Sequence, residues 1–229
     1  MNCQICGGSG WIFTEKDGKR FAKKCKCTFK RASQKFFEES KIPRRYRSCK
    51  FSNYQPQTAY QLRALKVCRE FFYLFPFASK GVLLYGPTGT GKTHLSVATL
   101  RNVTLYKGLR GVFCDFRNLL VELKTCIDLK LPTAELLDSV RKAPFLVLDD
   151  VGAERNTEWA RDILAEIINY RYTQNLPTFI TTNLTLGDYS ADSFAAKFDR
   201  RTESRLYDMC KIVQVDGDDR RKEQKESGF

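Results

Sequence analysis

The run Gly86-Pro87-Thr88-Gly89-Thr90-Gly91-Lys92-Thr93 has the residue types and spacing of a phosphate-binding loop, G-x-x-x-x-G-K-[ST]. Its glycines let backbone N–H groups curl around phosphate oxygens, and a helix starting at its end adds the positive pole of the helix dipole. With ATP bound, Lys92 would neutralise the outer phosphates and the Thr93 hydroxyl would ligate Mg²⁺. Downstream, the apolar run 144–148 ends in two carboxylates, Asp149 and Asp150. A buried strand there would bring Asp149 to the Mg²⁺ water shell and set Asp150 beside it, placed to orient or deprotonate an attacking water. Two solvated acids at a strand end is the weaker reading, because a phosphate-binding loop needs such a partner strand. Many ATPases of this kind carry Glu in the second place. Asp is one methylene shorter, so slow hydrolysis, suited to a switch, is expected.

A second chemical cluster lies at the N-terminus. Cys3 and Cys6 are spaced C-x2-C, and Cys25 and Cys27 close as C-x-C after eighteen residues. Two thiol pairs separated by a hairpin-length insert suit a tetrahedral structural zinc site. The insert reads as a hairpin, with residues 11–14 on one arm, Asp17-Gly18 at the turn, and Phe21-Ala22 returning. Trp11 and Phe13 are expected to pack on that hairpin, with partner docking as the other role open to them. Four unrelated reduced thiols, or a redox pair at Cys3 and Cys6, are the alternatives to zinc. The other five cysteines (Cys49, Cys68, Cys114, Cys126, Cys210) lie in apolar patterns and read as small buried hydrophobes. His94 is the single histidine, which excludes a histidine-based metal site or triad.

Charge separates the same two regions. Of a net +13 over 229 residues, residues 1–50 hold 14 basic and 4 acidic side chains, whereas residues 51–229 hold 25 and 22. The basic stretch runs through Lys23, Lys24, Lys26, Lys30, Arg31 and Lys35 to Arg44-Arg45-Tyr46-Arg47. A solvated face and a contact with nucleic acid or an acidic partner are equally open readings. The hydrophobic content of 42% with 13% aromatics argues against disorder. Apolar runs such as 71–77 are too short to span a bilayer, and no apolar leader precedes a cleavage site, so a cytoplasmic protein without membrane contact is expected.

The elements needed to position these groups follow from pattern. A short helix is expected through Glu39, then a connector over 41–55. A buried strand over 81–85 precedes the loop, and a helix over 93–106 follows it. Then come a strand over 111–116, helices over 117–129 and 134–142, and a long helix over 157–174 capped by Asn156. A strand over 178–183 ends in Asn183; a basic helix carries Arg200, Arg201 and Arg205; the last strand is 211–215, before a charged tail over 218–229. Alternating strands and helices imply an α/β fold with a parallel sheet and its site at the strand carboxyl ends. The division expected is a basic zinc-binding module over 1–50 and an ATPase domain over 51–229.

Assembled, these residues resemble the AAA+ ATPases, and among them the DnaC/DnaI-type bacterial helicase loaders. The likeness rests on the loop with His94-Leu95 after it, on Leu-Asp-Asp-Val-Gly-Ala-Glu over 148–154, on Ile-Thr-Thr-Asn over 180–183, and on Ser204-Arg205-Leu206. It continues in Gly-Asp-Asp-Arg-Arg over 217–221 and, at the N-terminus, in the cysteine pairs and Ile-Pro-Arg-Arg-Tyr-Arg over 42–47. The resemblance implies an AAA+ core in which Asn183 contacts the γ-phosphate or the attacking water. It makes Arg205 an arginine finger and Arg221 a second sensor, with Arg201 and Arg220 one motif position away. It also implies self-assembly into an ATP-bridged spiral or ring, binding of single-stranded DNA along the inner face, and delivery of a hexameric replicative DNA helicase that docks on the basic head. Residues 117–142 look like the extra helical element of initiators and loaders, and the 46 residues after Asn183 are too few for a full helical lid. Two rival functions stay open: a transposition-helper ATPase of the IstB type, and a zinc-containing nucleic-acid adaptor whose nucleotide site is structural.

Overall fold

The computed structural model describes residues 3–17, 19–188 and 190–221. Gly18, expected at the hairpin turn, and residues 222–229 of the expected tail lie outside them. Strands β1 (Trp11–Lys16) and β2 (Lys19–Lys24) form the antiparallel hairpin, with Trp11 opposite Lys24 and Phe13 opposite Ala22. Helix α1 (Lys26–Glu39) follows directly. The expected packing on this hairpin is not found for Phe13, which is 70% exposed; Trp11, 43% exposed, meets it through the Lys24 ammonium, 6.0 Å from its ring, and Phe21 is also exposed. A two-stranded ribbon has no second layer to cover its side chains.

Residues 41–55 hold two short 3-10 turns, Arg44–Tyr46 and Phe51–Asn53. Ile42, Cys49, Phe51 and Tyr54 from this stretch enter the main core. The carbonyl of Ser40 accepts the amide of Phe113 at 2.8 Å.

The remaining elements are α2 (Ala59–Leu74), β3 (Gly81–Tyr85), α3 (Lys92–Lys107), β4 (Val112–Asp115), α4 (Phe116–Asp128), α5 (Ala134–Arg141) and β5 (Leu146–Val151). Then follow α6 (Glu158–Thr173), β6 (Thr178–Thr182), α7 (Phe194–Lys197), α8 (Arg200–Met209) and β7 (Cys210–Gln214). β3 to β7 form one parallel sheet in the order β4-β5-β6-β3-β7. Helices cover both of its faces, which is why β3 and β6 read as continuous buried runs instead of alternating ones. Val82, Leu84, Val147 and Phe179 meet α2 and α3 on one face, where the Phe71 ring stands 5.2 Å from Phe145 and 4.7 Å from Phe179. Leu83, Leu146, Leu148 and Ile180 meet α4, α6 and α8 on the other.

The cap of α6 differs from expectation. Thr157, one residue later than Asn156, has the extended backbone of a cap, and its hydroxyl accepts the Ala160 amide at 3.2 Å. Asn156 instead accepts from Arg161 Nε at 3.0 Å. No helix among the described residues is long and apolar enough to cross a membrane.

Candidate functional site

β3 ends at Tyr85, and the chain turns through the glycine-rich loop into α3. Gly91 sits at φ +98°, where a side chain is strained, and an added Cβ would lie 2.6 Å from the Tyr54 ring. That tyrosine comes from the connector, and its hydroxyl donates to the Thr90 carbonyl inside the loop at 3.2 Å. His94 packs beside it, with ring centroids 5.3 Å apart, and bonds the Lys50 carbonyl at 2.9 Å. His94 is thus local packing, and the connector buttresses the loop.

The ammonium of Lys92 is buried and has three acceptors: the carbonyls of Gly86 at 2.7 Å and Pro87 at 2.6 Å, and Asn183 Oδ1 at 2.8 Å. Burial lowers its pKa to about 8, against the pull of Asp150 and Asp149. The Thr93 hydroxyl donates to Asp149 at 3.0 and 3.2 Å, and Thr181 Oγ1 donates to the same carboxylate at 2.6 Å. Burial raises Asp149 to about 6, while the two hydroxyl donors oppose the rise. A buried carboxylate beside a hydroxyl fits a divalent cation, whose charge would favour the ionised form that burial disfavours. Thr93 and Asp149 are the residues that could hold Mg²⁺.

Asp150 is set apart by its backbone. The pairing of β5 with β6 slips between Leu148 and Val151, and Asp150 takes φ +56° within that bulge. Such a conformation costs a non-glycine residue about 1 kcal/mol, and a bulge re-aims the side chain it carries. Here Asp150 Oδ1 accepts from Asn183 Nδ2 at 3.2 Å, and the Asp150 amide donates to Thr181 Oγ1 at 2.8 Å. Lys92, Asn183 and Asp150 therefore form one chain of contacts. They line a cavity of about 840 Å³ with Thr93, Asp149 and Arg221. Thr88, Gly89 and Gly91 line it too, whereas Gly86, Pro87 and Thr90 serve through their carbonyls.

Arg221 lines that cavity, and so does Arg220, whose guanidinium lies 4.5 Å above the Tyr54 ring and donates to the Gln55 carbonyl. Arg205 is not brought to the site. It lies on α8 with its guanidinium 5.8 Å from the Tyr172 ring, and Arg201 is exposed on the same helix. Two groups that the sequence reading did not single out matter here. Thr181 links Asp149 to Asp150, and its position directly before Thr182-Asn183 at a buried strand end was the available signal. Arg171, wholly buried, donates to the carbonyls of Val140, Arg141, Ala143 and Pro177 and to Thr178 Oγ1, tying the end of α5 to the start of β6. Burial lowers its pKa.

The four N-terminal thiols also converge. Cys3 and Cys25 sulfurs are 3.8 Å apart, those of Cys6 and Cys27 3.4 Å, and all four lie within 4.8 Å of one another. Tetrahedral zinc–thiolate bonds of about 2.3 Å would set sulfurs about 3.8 Å apart. The Gly10 amide donates to Cys6 at 3.3 Å and holds its pKa down near 6. Desolvation and the neighbours Cys6 and Cys25 push Cys27 up to about 12, although Arg31 donates to it at 3.4 Å. Four thiols in one cage cannot all ionise unaided; a divalent cation would let them, so the cluster could bind zinc.

Known proteins resemble this chain over most of its length. A family model described as IstB-like ATP binding protein matches residues 22–228. The chain is 32% identical over 151 residues to the replicative helicase loader DnaI of Bacillus subtilis (strain 168), covering 62% of this chain and 48% of that one. It is 26% identical over 151 residues to the replicative helicase loader DnaC of Escherichia coli (strain K12), covering 66% and 61%. A crystal structure of the DnaC helicase loader aligns with a TM-score of 0.68 at 36% identity, covering 76% of this chain and 100% of that one. The chain spans about half to two-thirds of the length of these curated relatives. With its phosphate-binding loop, paired aspartates and five-stranded parallel sheet, the chain belongs to the IstB-like ATP-binding protein family and is homologous to the DnaI and DnaC helicase loaders.

Proposed function

We propose that this protein is an ATP-controlled loader of a hexameric replicative DNA helicase, acting in the cytoplasm. It binds helicase and single-stranded DNA, and ATP binding and hydrolysis switch between assembly and release. The observation that carries this reading is the contact chain Lys92–Asn183–Asp150 beside the Thr93–Asp149 pair, in a chain homologous to helicase loaders.

In this mechanism the loop amides and Lys92 hold the β- and γ-phosphates. Thr93 and Asp149 hold Mg²⁺, which when bound offsets the charge that develops on the phosphates. Asp150 orients the attacking water, and Asn183, bonded to both Asp150 and Lys92, reports whether a γ-phosphate is present. Arg221 reaches the nucleotide from within the same chain. Arg205, absent from its own chain's cavity, acts on the nucleotide of a neighbour, which makes ATP the bridge of a spiral or ring. Residues 1–50, held by zinc on Cys3, Cys6, Cys25 and Cys27, dock the helicase, and residues 51–229 carry the ATPase.

The matched family also carries the IstB-type name, which keeps a transposition-helper ATPase as the second reading. Co-purification from the native host separates the two. The replicative helicase is expected to elute with the wild-type chain and to be lost in Cys6→Ser. Recovery of a transposase without helicase would overturn the loader reading. DNA and partner binding that stay unchanged in Lys92→Ala at every ATP concentration would reduce the nucleotide site to a structural one.

A further inference from the structure

Away from the nucleotide, the outer faces of α2 and α3 and the turn at Phe51 enclose a second groove, about 420 Å³ in volume. Its walls carry Lys50, Arg69, Arg101, Phe72, Tyr73 and Tyr106, and no carboxylate. None of the three cations belongs to an ion pair among the described residues. The nearest acid in sequence, Glu70, is taken by Lys211 at 3.0 Å.

The arginines lie on rings instead of carboxylates. Arg69 stands 5.9 Å from the Phe51 ring, and Arg101 stands 5.9 Å from the Phe37 ring. Arg47 lies against that same Phe37 ring at 5.8 Å, but its charge is met by Glu38 at 3.3 Å, so the cations here without an ion pair among the described residues are those of the groove itself. Arg101 Nε is buried without a hydrogen-bond partner. On the groove's walls, Tyr73 and Tyr106 are 76% and 64% exposed. Flat rings left open beside unopposed cations suit a ligand that brings negative charge and flat faces together. An acidic peptide would use the cations and leave the rings idle; a duplex would keep its bases stacked inside.

We propose that this groove binds single-stranded nucleic acid, with Lys50, Arg69 and Arg101 on its phosphates and bases stacked on Tyr73 and Tyr106. The inference rests on the single-strand binding of the proposed function and adds a contact for the strand on the outer α2–α3 face, away from the inner face that the resemblance implies and separate from the ATP cavity.

The test measures anisotropy of a fluorescein-labelled oligothymidylate with the full chain and ATP. Tyr73→Ala with Tyr106→Ala is expected to weaken binding about tenfold or more. Arg69→Gln should lower the slope of log affinity against log salt by about one. All these variants should bind ATP as the wild type does, which also shows that they are folded. Wild-type affinity and salt slope in the variants would overturn the groove and leave the loader reading standing. A wild-type chain that retains helicase but binds no oligothymidylate would remove the groove together with the single-strand arm of that reading. Loss of helicase with oligothymidylate binding intact would make the groove a protein-docking surface and overturn the proposal.

Discussion

The N-terminal ribbon and the central sheet are both built of strands, yet they are held together by different physics. In β3, Val82, Leu83 and Leu84 are all at most 2% exposed, sandwiched between two layers of helices. In β2 every residue is exposed, and in β1 only Ile12 is partly covered. Of the four ribbon cysteines, only Cys25 is fully buried. The sheet is stabilised by apolar burial distributed over dozens of side chains. The ribbon has no such reserve beyond its strand pairing and the four sulfur atoms that could bind zinc. A lost methylene would be felt in the first region, and a lost ligand in the second.

The sharpest way to break this contrast is to remove the zinc proposed for the four thiols. Structural zinc contributes about 10–16 kcal/mol to the folding of small zinc modules. A strong chelator is therefore expected to unfold the ribbon completely while the sheet keeps its thermal transition. A Trp159→Phe chain leaves Trp11 as the sole tryptophan, so its fluorescence reads the ribbon alone, and far-ultraviolet dichroism reads the sheet. A single shared transition on chelation would show that the ribbon and the sheet are one cooperative unit.

The next effect lies in the sheet. Arg171→Met leaves four carbonyls and the Thr178 hydroxyl without their buried donor. A loss of about 3–5 kcal/mol in urea unfolding is expected, with Trp11 unmoved in the native state. A loss below about 1 kcal/mol would mean that water replaces the guanidinium. The smallest effect is at Asp150. Asp150→Gly relieves the positive φ and should change stability by no more than about 1 kcal/mol. ATP turnover, the activity proposed, should fall by about a hundredfold or more. Turnover at the wild-type rate would remove Asp150 from the mechanism.

Legibility in the sequence followed the distance over which each feature is encoded. The phosphate-binding loop, the strand pair ending in Asp149 and Asn183, and the cysteine spacing are local patterns, and the structure brings their members together. Helix α3 begins at Lys92, one residue before the expected start, because the glycine turn already points the chain into it. What escaped was long-range. Arg171 reads as one more charge on a helix, and only folding reveals the carbonyls converging on it. Tyr54 sits in what reads as a connector, 36 residues from the loop carbonyl that it contacts. Phe13 misled in the opposite sense: its apolar character suggests packing, but it stays 70% exposed, and Trp11 on the same strand is met by the Lys24 ammonium. Asn156 lost the cap to Thr157, since both are good cap residues and only the backbone turn decides between them.

The bond from the Phe113 amide to the Ser40 carbonyl bears on how the molecule can be taken apart. β4 is an outer strand of the sheet, and this bond, with the Tyr46 ring 6.3 Å from Phe113, shields part of its free side. An uncovered strand edge is a template for adding another strand. A fragment begun at residue 51 would lose that shield, together with Ile42 and Cys49 from the core. Its self-association would then arise from the cut, so dissection of the proposed docking and ATPase roles is cleaner by point substitution in the ribbon than by truncation.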